Sequence, residues 1–257
     1  MIHPTAVVHP TAEVGDGVEV GPYSIIEKEA TIGSGTRIRS HVFIGEGAQI
    51  GKNCHIFQFA SVGEAPQALA YRGEKTALIL GDYNIVREYV TLNRGTASGG
   101  GKTAIGHHSL FMAYSHVAHD CHLGNYVILA NGATLAGHIT IEDHAIIGGL
   151  SAVHQFCQIG THAMVSGLTG VAQDVLPYMT AAGSRAKLYG LNTIGLKRFK
   201  FSEETLRALK KAYRIIFRSN LTLENALKQV SEDEMAALPE IQHLLQFIQK
   251  SKRGITR

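Results

Sequence analysis

A cluster of histidines marks the part of the sequence where catalytic chemistry is most easily placed. Nine of the 14 histidines lie between positions 107 and 162. The segment SHVAHDCH (115–122) sets the carboxylate of Asp120 beside the imidazole of His119. A neutral histidine titrates near neutral pH and can accept a proton from a hydroxyl, so one hypothesis is a general base. Adjacent residues of a strand point to opposite faces, so Asp120 can orient His119 only if the chain bends there.

Two other interpretations of these histidines stay open at this point. His116, His119, His122 and His138 supply enough imidazole for a metal site. Alternatively, the histidines simply occupy the turns of a repeat. The residues by themselves do not separate a base from a metal ligand.

A repeat of six residues organises the chain around these side chains. An aliphatic residue recurs every six positions from Ile2 to Val62, again from Leu80 to Leu92, and again from Ile105 to Val171, which gives 26 hexads with Phe111 as the single exception to Leu, Ile or Val. A period of six fits neither a helix nor a simple alternating strand. It predicts short strands separated by turns and wound as a parallel β-helix, with the large aliphatic side chain pointing inward.

If three hexads close one coil, residues 18 positions apart lie above one another. His119, Gly137 and Gln155 then form one column, and Asp120, His138 and Phe156 form the next. Asn131, Gly149 and Gly167 fall on a different edge, and His144 lies next to His162 in a further column.

The repeat has two interruptions and an end. Residues 64–79 and 97–104 depart from the pattern and are predicted to be loops, which on a rigid scaffold often carry function. The pattern ends after Pro177, and Ser202 followed by two glutamates is typical of a helix N-terminus. We therefore expect a β-helix over residues 1–189 and a small α-helical C-terminal domain over 190–257.

Composition limits the classes of function. The net charge of +3 is too small to indicate nucleic-acid binding. No stretch of 18 apolar residues predicts a membrane span, and the N-terminus lacks the pattern of a signal peptide. The three cysteines have no CxxC spacing, which favours reduced core thiols in a cytoplasmic protein.

Charge is unevenly distributed. Residues 197–257 carry 13 basic and 7 acidic side chains (13 − 7 = +6), against 11 and 14 in residues 1–196 (11 − 14 = −3). Lys210, Arg214 and Arg218 recur on one helix face, with Lys211 beside them. This distribution indicates an anionic partner near the C-terminus.

Several segments carry a resemblance to a known family: HIFQFASVGE (55–64), RGTASGGGKT (94–103), HVAHDC (116–121), ILANGATLAGH (128–138), AIIGGLSAVHQFCQIG (145–160), GVAQDV (170–175) and GLKRF (195–199). The chain resembles, over nearly its whole length, the UDP-N-acetylglucosamine O-acyltransferases that begin lipid A biosynthesis. The resemblance implies a left-handed β-helix, a homotrimer with active sites between subunits, and no cofactor or metal. It also implies a 3-hydroxyacyl donor carried on acyl carrier protein and UDP-N-acetylglucosamine as the acceptor.

The resemblance also assigns roles to residues. His119 would be the base for the sugar 3-hydroxyl, Asp120 its orienting partner, and the Gly137 N–H the oxyanion donor. The further positions implied to contact substrate are His116, His138, His154 and Gln155 in the cleft, Gly167 at the position that measures acyl length, Asn192 and Arg198 at the nucleotide, and Gly149. A glycine at position 167 would leave room for a longer chain. Lys210, Lys211, Arg214 and Arg218 would receive the acidic carrier protein.

Four positions depart from the family pattern. Ala68 and Ala70 stand where aspartate and lysine are usual, Asn93 replaces a histidine, and Ile194 replaces a glutamate. All four fall on the acceptor side, so an alternative acceptor is the 3-amino analogue of the sugar nucleotide, giving an amide.

Three rival functions use the same kind of repeat. They are the N-acyltransferase of the same pathway, a metal-dependent hydratase of the γ-carbonic-anhydrase type, and a non-catalytic scaffold.

Overall fold

A computed structural model describes all residues, 1–257. It contains 27 strands, most of them two residues long, and four α-helices. In chain order the strands are β1 Val7–Val8, β2 Glu13–Val14, β3 Glu19–Val20, β4 Ile25–Ile26, β5 Thr31–Ile32, β6 Arg37–Ile38, β7 Phe43–Ile44, β8 Gln49–Ile50, β9 His55–Ile56, β10 Ser61–Glu64, β11 Ala77–Leu80, β12 Ile85–Val86, β13 Thr91–Asn93, β14 Lys102–Ile105, β15 Leu110–Phe111, β16 His116–Val117, β17 His122–Leu123, β18 Ile128–Leu129, β19 Thr134–Leu135, β20 Thr140–Ile141, β21 Ile146–Ile147, β22 Ala152–Val153, β23 Gln158–Ile159, β24 Met164–Val165, β25 Gly170–Val171, β26 Met179–Ala182 and β27 Lys187–Leu191.

Every third strand belongs to the same parallel sheet, so the chain winds as a three-sided prism. Sheet 1 runs from β1 to β25, sheet 2 from β2 to β23, and sheet 3 from β3 to β26, with β27 added antiparallel at its end. We call the turn from sheet 1 to sheet 2 corner 1, the turn from sheet 2 to sheet 3 corner 2, and the turn from sheet 3 to sheet 1 corner 3. Residues 18 apart are paired where the repeat is unbroken, for example His116 with Thr134. The predicted β-helix is confirmed.

The hexad explains both the core and the corners. The recurring aliphatic residues from Val20 to Val171 are buried inside the prism in one cluster of 40 residues. Ile2, Val8 and Val14 are the exceptions among the 26 hexads, because the first coil packs against a neighbouring coil on one side only. Most corners contain a residue with positive φ, such as Tyr126 (57°) and Asp120 (60°), and this left-handed conformation lets the chain turn by one side of the prism.

Both interruptions leave the prism at corner 1. The first covers residues 65–76 and the second covers residues 94–101, since Ala77–Leu80 and Lys102–Ile105 are paired strands of sheet 2. The predicted loops 64–79 and 97–104 are therefore misplaced by a few residues. Their shared corner is the one that carries His119, which the sequence pattern did not reveal.

The C-terminal part is helical. It contains α1 Thr193–Arg198, α2 Glu203–Arg218, α3 Leu223–Ser231 and α4 Pro239–Lys250. The Ser202 hydroxyl accepts from the Thr205 N–H and caps α2, as predicted. The predicted boundary at residue 190 falls inside β27, because this strand pairs with β26 at the end of the prism. Residues 251–257 form a non-helical tail, which pairs with the prism through Asp174 and Ile255.

Aromatic side chains join the helices to the prism. At corner 2 the rings of Tyr126, His144 and His162 stack with centroids 4.8 and 4.6 Å apart, which bears out the predicted pairing of the two histidines. Phe199 and Phe201 pack edge-on against His162 at 4.6 and 5.0 Å. None of the four α-helices has the length and hydrophobicity that a membrane span requires.

Candidate active site

His119 and Asp120 form a hydrogen-bonded pair at corner 1. The His119 Nδ1 lies 2.7 Å from the Asp120 Oδ2. The contact forms because Asp120 has positive φ, so the chain bends immediately after the histidine. The Nδ1–H of His119 donates a hydrogen bond to the carboxylate, which leaves the lone pair on Nε2 free to take a proton from a substrate.

The second interruption holds the Asp120 carboxylate. The Thr96 N–H donates to Oδ1 at 2.8 Å and the Thr96 hydroxyl donates to Oδ2 at 2.6 Å. The backbone N–H of Asp120 donates to the Thr103 hydroxyl at 2.8 Å. A side chain at Gly99 would collide with the carboxylate, so the loop closes tightly over it.

These contacts keep Asp120 ionised. The side chain is fully buried, and burial alone would raise its pKa. The hydrogen bonds from Thr96 and His119 outweigh that effect and hold the pKa of Asp120 below its ordinary value. A buried carboxylate of this kind stabilises a protonated imidazole at His119.

Gly137 lies directly against the His119 ring in the next coil. A Cβ at this position would be 2.6 Å from Cε1 and 3.0 Å from Nε2 of His119. The Gly137 N–H donates no hydrogen bond within the chain. The expected juxtaposition of an imidazole with a bare backbone amide is therefore present.

The other histidines near corner 1 have different surroundings. The His138 Nε2 lies 3.7 Å from the Asp120 Oδ2, and its ring meets that of His119 edge-on at 5.1 Å. The His116 Nδ1 forms a hydrogen bond with the Thr91 hydroxyl at 2.7 Å. Burial, with His119 nearby, lowers the pKa of His116. Corner 1 also carries His154 and Gln155, both of them exposed.

The four histidines considered as metal ligands do not converge. His122 points outward from sheet 2 and is exposed. A ligand-like group is formed only by His119, Asp120 and His138, whose atoms lie within 4.8 Å of one another. Both oxygens of Asp120 already accept hydrogen bonds, which favours a proton-transfer pair over a metal site at this position.

The three cysteines have no part in this chemistry. Cys54, Cys121 and Cys157 are free and buried. Burial raises the pKa of the three thiols to about 11, about 12 and about 11. They therefore remain protonated and act as small apolar side chains.

The remaining predicted substrate contacts lie on other corners of the same chain. Gly149 and Gly167 are neighbours at corner 3, where a Cβ at Gly167 would be 3.3 Å from the Gly149 oxygen. Asn192 is at corner 2, where its amide donates to the His162 carbonyl and accepts from the Gly195 N–H as the cap of α1. Arg198 is exposed at the end of α1. A single chain does not bring these residues to His119.

The predicted docking residues lie on the exposed face of α2. Lys210, Arg214 and Arg218 are exposed, and Arg207, which sequence analysis did not single out, continues the row. Lys211 differs from the others because its Nζ forms an ion pair with Asp233 at 2.5 Å.

The four positions that depart from the family pattern have unequal surroundings. Ala70 and Ile194 are exposed and Ala68 is half-buried. Asn93 is buried, and its Nδ2 donates to the Ala65 carbonyl at 2.8 Å, whereas its Oδ1 has no partner.

Comparison with known proteins shows the family of the chain. The family described as bacterial transferase hexapeptide (six repeats) matches residues 102–137, and the family described as UDP-N-acetylglucosamine O-acyltransferase, domain 2, matches residues 174–256. The acyl-(acyl-carrier-protein)–UDP-N-acetylglucosamine O-acyltransferase of Anaeromyxobacter dehalogenans is 57% identical over 256 residues, which cover 100% of this chain and 99% of that protein. The chain belongs to the UDP-N-acetylglucosamine O-acyltransferase family.

Further relatives support the same assignment. The enzyme of the same name from Myxococcus xanthus is 55% identical over 256 residues, covering 100% of this chain and 99% of the relative. The UDP-N-acetylglucosamine acyltransferase of Bacteroides fragilis has a TM-score of 0.97 at 40% identity, with both chains covered fully. The corresponding O-acyltransferase of Moraxella catarrhalis has a TM-score of 0.94 at 44% identity, covering 100% of this chain and 99% of that one.

Family membership confirms several expectations at once. The protein is an acyltransferase with a left-handed parallel β-helix and short C-terminal helices, and the resemblance seen in the sequence is confirmed. The hydratase, scaffold and N-acyltransferase alternatives are not retained, because the full-length relatives carry the O-acyltransferase name.

Proposed function

We propose that this protein transfers a 3-hydroxyacyl chain from acyl carrier protein to the 3-position of UDP-N-acetylglucosamine, as the first step of lipid A biosynthesis. The supporting observation is the His119–Asp120 pair at 2.7 Å, with Gly137 against the same imidazole in the next coil. No cofactor or metal is needed for this chemistry.

The geometry supports a general-base mechanism. The Nε2 of His119 accepts the proton of the sugar 3-hydroxyl, and the oxygen attacks the thioester carbonyl. The negative charge that develops on the carbonyl oxygen is stabilised by the free N–H of Gly137. The C–S bond then breaks, and the proton held on His119 passes to the departing thiolate of the carrier. Asp120 stabilises the imidazolium between the two proton transfers.

We further propose that the complete site forms between subunits of a homotrimer. The predicted contacts lie on three different corners, so a second copy must bring corners 2 and 3 to the His119 corner. Sheet 3 connects those two corners. In the coils that surround His119, its outer face carries a row of large apolar side chains that sheets 1 and 2 lack: Ile85, Leu110, Ile128, Ile146 and Met164. This row ends beside Gly167 and is suited to contact an acyl chain.

The exposed cations of α2 are proposed to receive the carrier protein. Arg207, Lys210, Arg214 and Arg218 form a row without ion-pair partners, whereas Lys211 is already paired with Asp233. An acidic carrier would be attracted by this row. The buried free thiols fit a reducing compartment, so we place the protein in the cytoplasm.

A second acceptor is favoured by one observation. Asn93 is buried at the end of β13 with no donor to its Oδ1, where the family usually has a histidine, so the acceptor side of the site differs from the family pattern. The 3-amino analogue of UDP-N-acetylglucosamine, which would yield an amide, is therefore a candidate. Competing the two sugar nucleotides in one reaction tests it, and a strong preference for the 3-hydroxyl sugar would discard it.

The central test replaces His119 and a matched control. His119→Ala should lower kcat by about 10²–10⁴-fold, the usual contribution of a general base. His122→Ala removes an exposed imidazole three residues away and should leave kcat unchanged. Equal activity of the two variants, measured with a defined acyl carrier protein thioester and UDP-N-acetylglucosamine, would refute the assignment of the base.

A further inference from the structure

The C-terminal tail, residues 251–257, returns to the end of the prism. Thr256 and Gly254 exchange backbone hydrogen bonds with Asp174 at 2.8 and 2.9 Å. The carboxylate of Asp174 is fully buried and accepts from the Ser251 hydroxyl at 2.6 Å and from the Gln158 N–H at 2.8 Å. The tail is therefore fixed against the last coil.

This docking places Arg253 at corner 1. Its Nε donates to the Ala172 carbonyl at 2.8 Å, and its Nη2 lies 2.8 Å from the Nδ1 of His154. Together with Lys252, it also borders a cavity of about 350 Å³ that is shared with His138 and Phe156. The tail thus contributes to the edge of the candidate active site.

The contact fixes the tautomer of His154. A guanidinium only donates hydrogen bonds and remains charged, so the Nδ1 of His154 must be the acceptor. The carbonyl of Gln155, at 3.2 Å from the same nitrogen, would require a proton on Nδ1 and is the longer contact. The ring proton therefore lies on Nε2, which is free to donate to a substrate oxygen.

We infer that Arg253 is a positioning residue for acyl transfer, which orients His154 and keeps its ring proton on Nε2. The inference rests on the proposed function, in which His154 lines the cleft. Arginine suits this role because two separate nitrogens, Nε and Nη2, bond Ala172 and His154, whereas lysine has only one nitrogen to place.

The tautomer can be measured without any activity assay. In protein labelled with ¹⁵N-histidine, the His154 signals, assigned by their loss in His154→Gln, should show a protonated Nε2 and an unprotonated Nδ1. Arg253→Lys and Arg253→Ala should shift the ring toward a mixture of tautomers. A protonated Nδ1 in the unaltered protein would overturn the inference.

A double-mutant cycle tests the catalytic consequence. Arg253→Ala should lower kcat/KM for the sugar nucleotide by roughly tenfold, the loss expected for one hydrogen bond to a charged group. In a His154→Ala background the same change should have almost no further effect. Additive losses would show that Arg253 does not act through His154 and would overturn the inference.

Ser251→Ala provides the matched control, because it loosens the tail at Asp174 without touching His154. It should lower Tm as Arg253→Ala does and yet keep kcat/KM. An equal loss of kcat/KM in Ser251→Ala and Arg253→Ala would show that the loss comes from loosened packing of the tail, and would overturn the inference. If the unaltered protein transfers no acyl group to UDP-N-acetylglucosamine, the proposed function fails, whereas the ¹⁵N result still decides the tautomer.

Discussion

Gly137→Ala is the sharpest perturbation that the structure offers, because it displaces the His119 imidazole and keeps the Gly137 backbone N–H and the Asp120 carboxylate. The added Cβ would lie 2.6 Å from the His119 Cε1, and ordinary contacts begin near 3.4 Å, so the ring must retreat by 3.4 − 2.6 = 0.8 Å. The 2.7 Å bond to Asp120 opposes this movement. A misplacement of about 1 Å in a reacting group costs about 100-fold in rate. We therefore expect kcat/KM to fall by about 100-fold.

The substitution separates steric displacement from loss of the oxyanion donor, since alanine keeps the backbone N–H. The assay is steady-state transfer from a defined acyl carrier protein thioester, with Tm as the measure of folding. Gly170→Ala is the control, because its Cβ would meet no atom closer than 3.5 Å. Activity of Gly137→Ala within about threefold of the unaltered enzyme would refute the reasoning.

Other perturbations probe the loop that holds Asp120, His162 at corner 2, and the exposed face of α2. Thr96→Val removes the 2.6 Å hydrogen bond to Asp120 and keeps the side-chain shape, so kcat/KM should fall by about tenfold. Burial, with His144 nearby, lowers the pKa of His162 from 6.5 to about 4. As the pH falls, His162 is therefore protonated in the unfolded chain before it is protonated in the folded protein. The free energy of unfolding, measured with urea, should therefore decrease as the pH falls from 6.5 to 4. Arg214→Glu should raise KM for the carrier thioester, and by more at low salt than at high salt.

Each of these has a contradicting result. Unchanged kcat/KM in Thr96→Val would show that the backbone N–H of Thr96 suffices to hold Asp120. The pH dependence should become shallower in His162→Gln, and an unchanged slope would assign it to other groups. A KM that rises equally in Glu204→Lys, at the start of the same helix, would show that the α2 face does not attract an acidic carrier.

The fold could be predicted in detail because its cause is local. A large aliphatic residue every six positions specifies the inward side chain of each short strand, and three such strands close one coil. The column of His119, Gly137 and Gln155 follows from the same arithmetic, because residues 18 apart stack wherever the repeat is unbroken. The first coil is the exception, since Val8 and Val14 have a neighbouring coil on one side only and stay partly exposed.

The sequence by itself determined the winding, the column of candidate residues and, through its motifs, the family. Only the tertiary structure decided that Thr96 holds Asp120 from 24 residues away and that Arg253 reaches His154 across 99 residues. Both contacts come from segments outside the repeat, where no period relates one residue to another. Their positions depend on how a loop and a tail fold back onto the prism, and that is settled by packing and hydrogen bonds between segments distant in the chain.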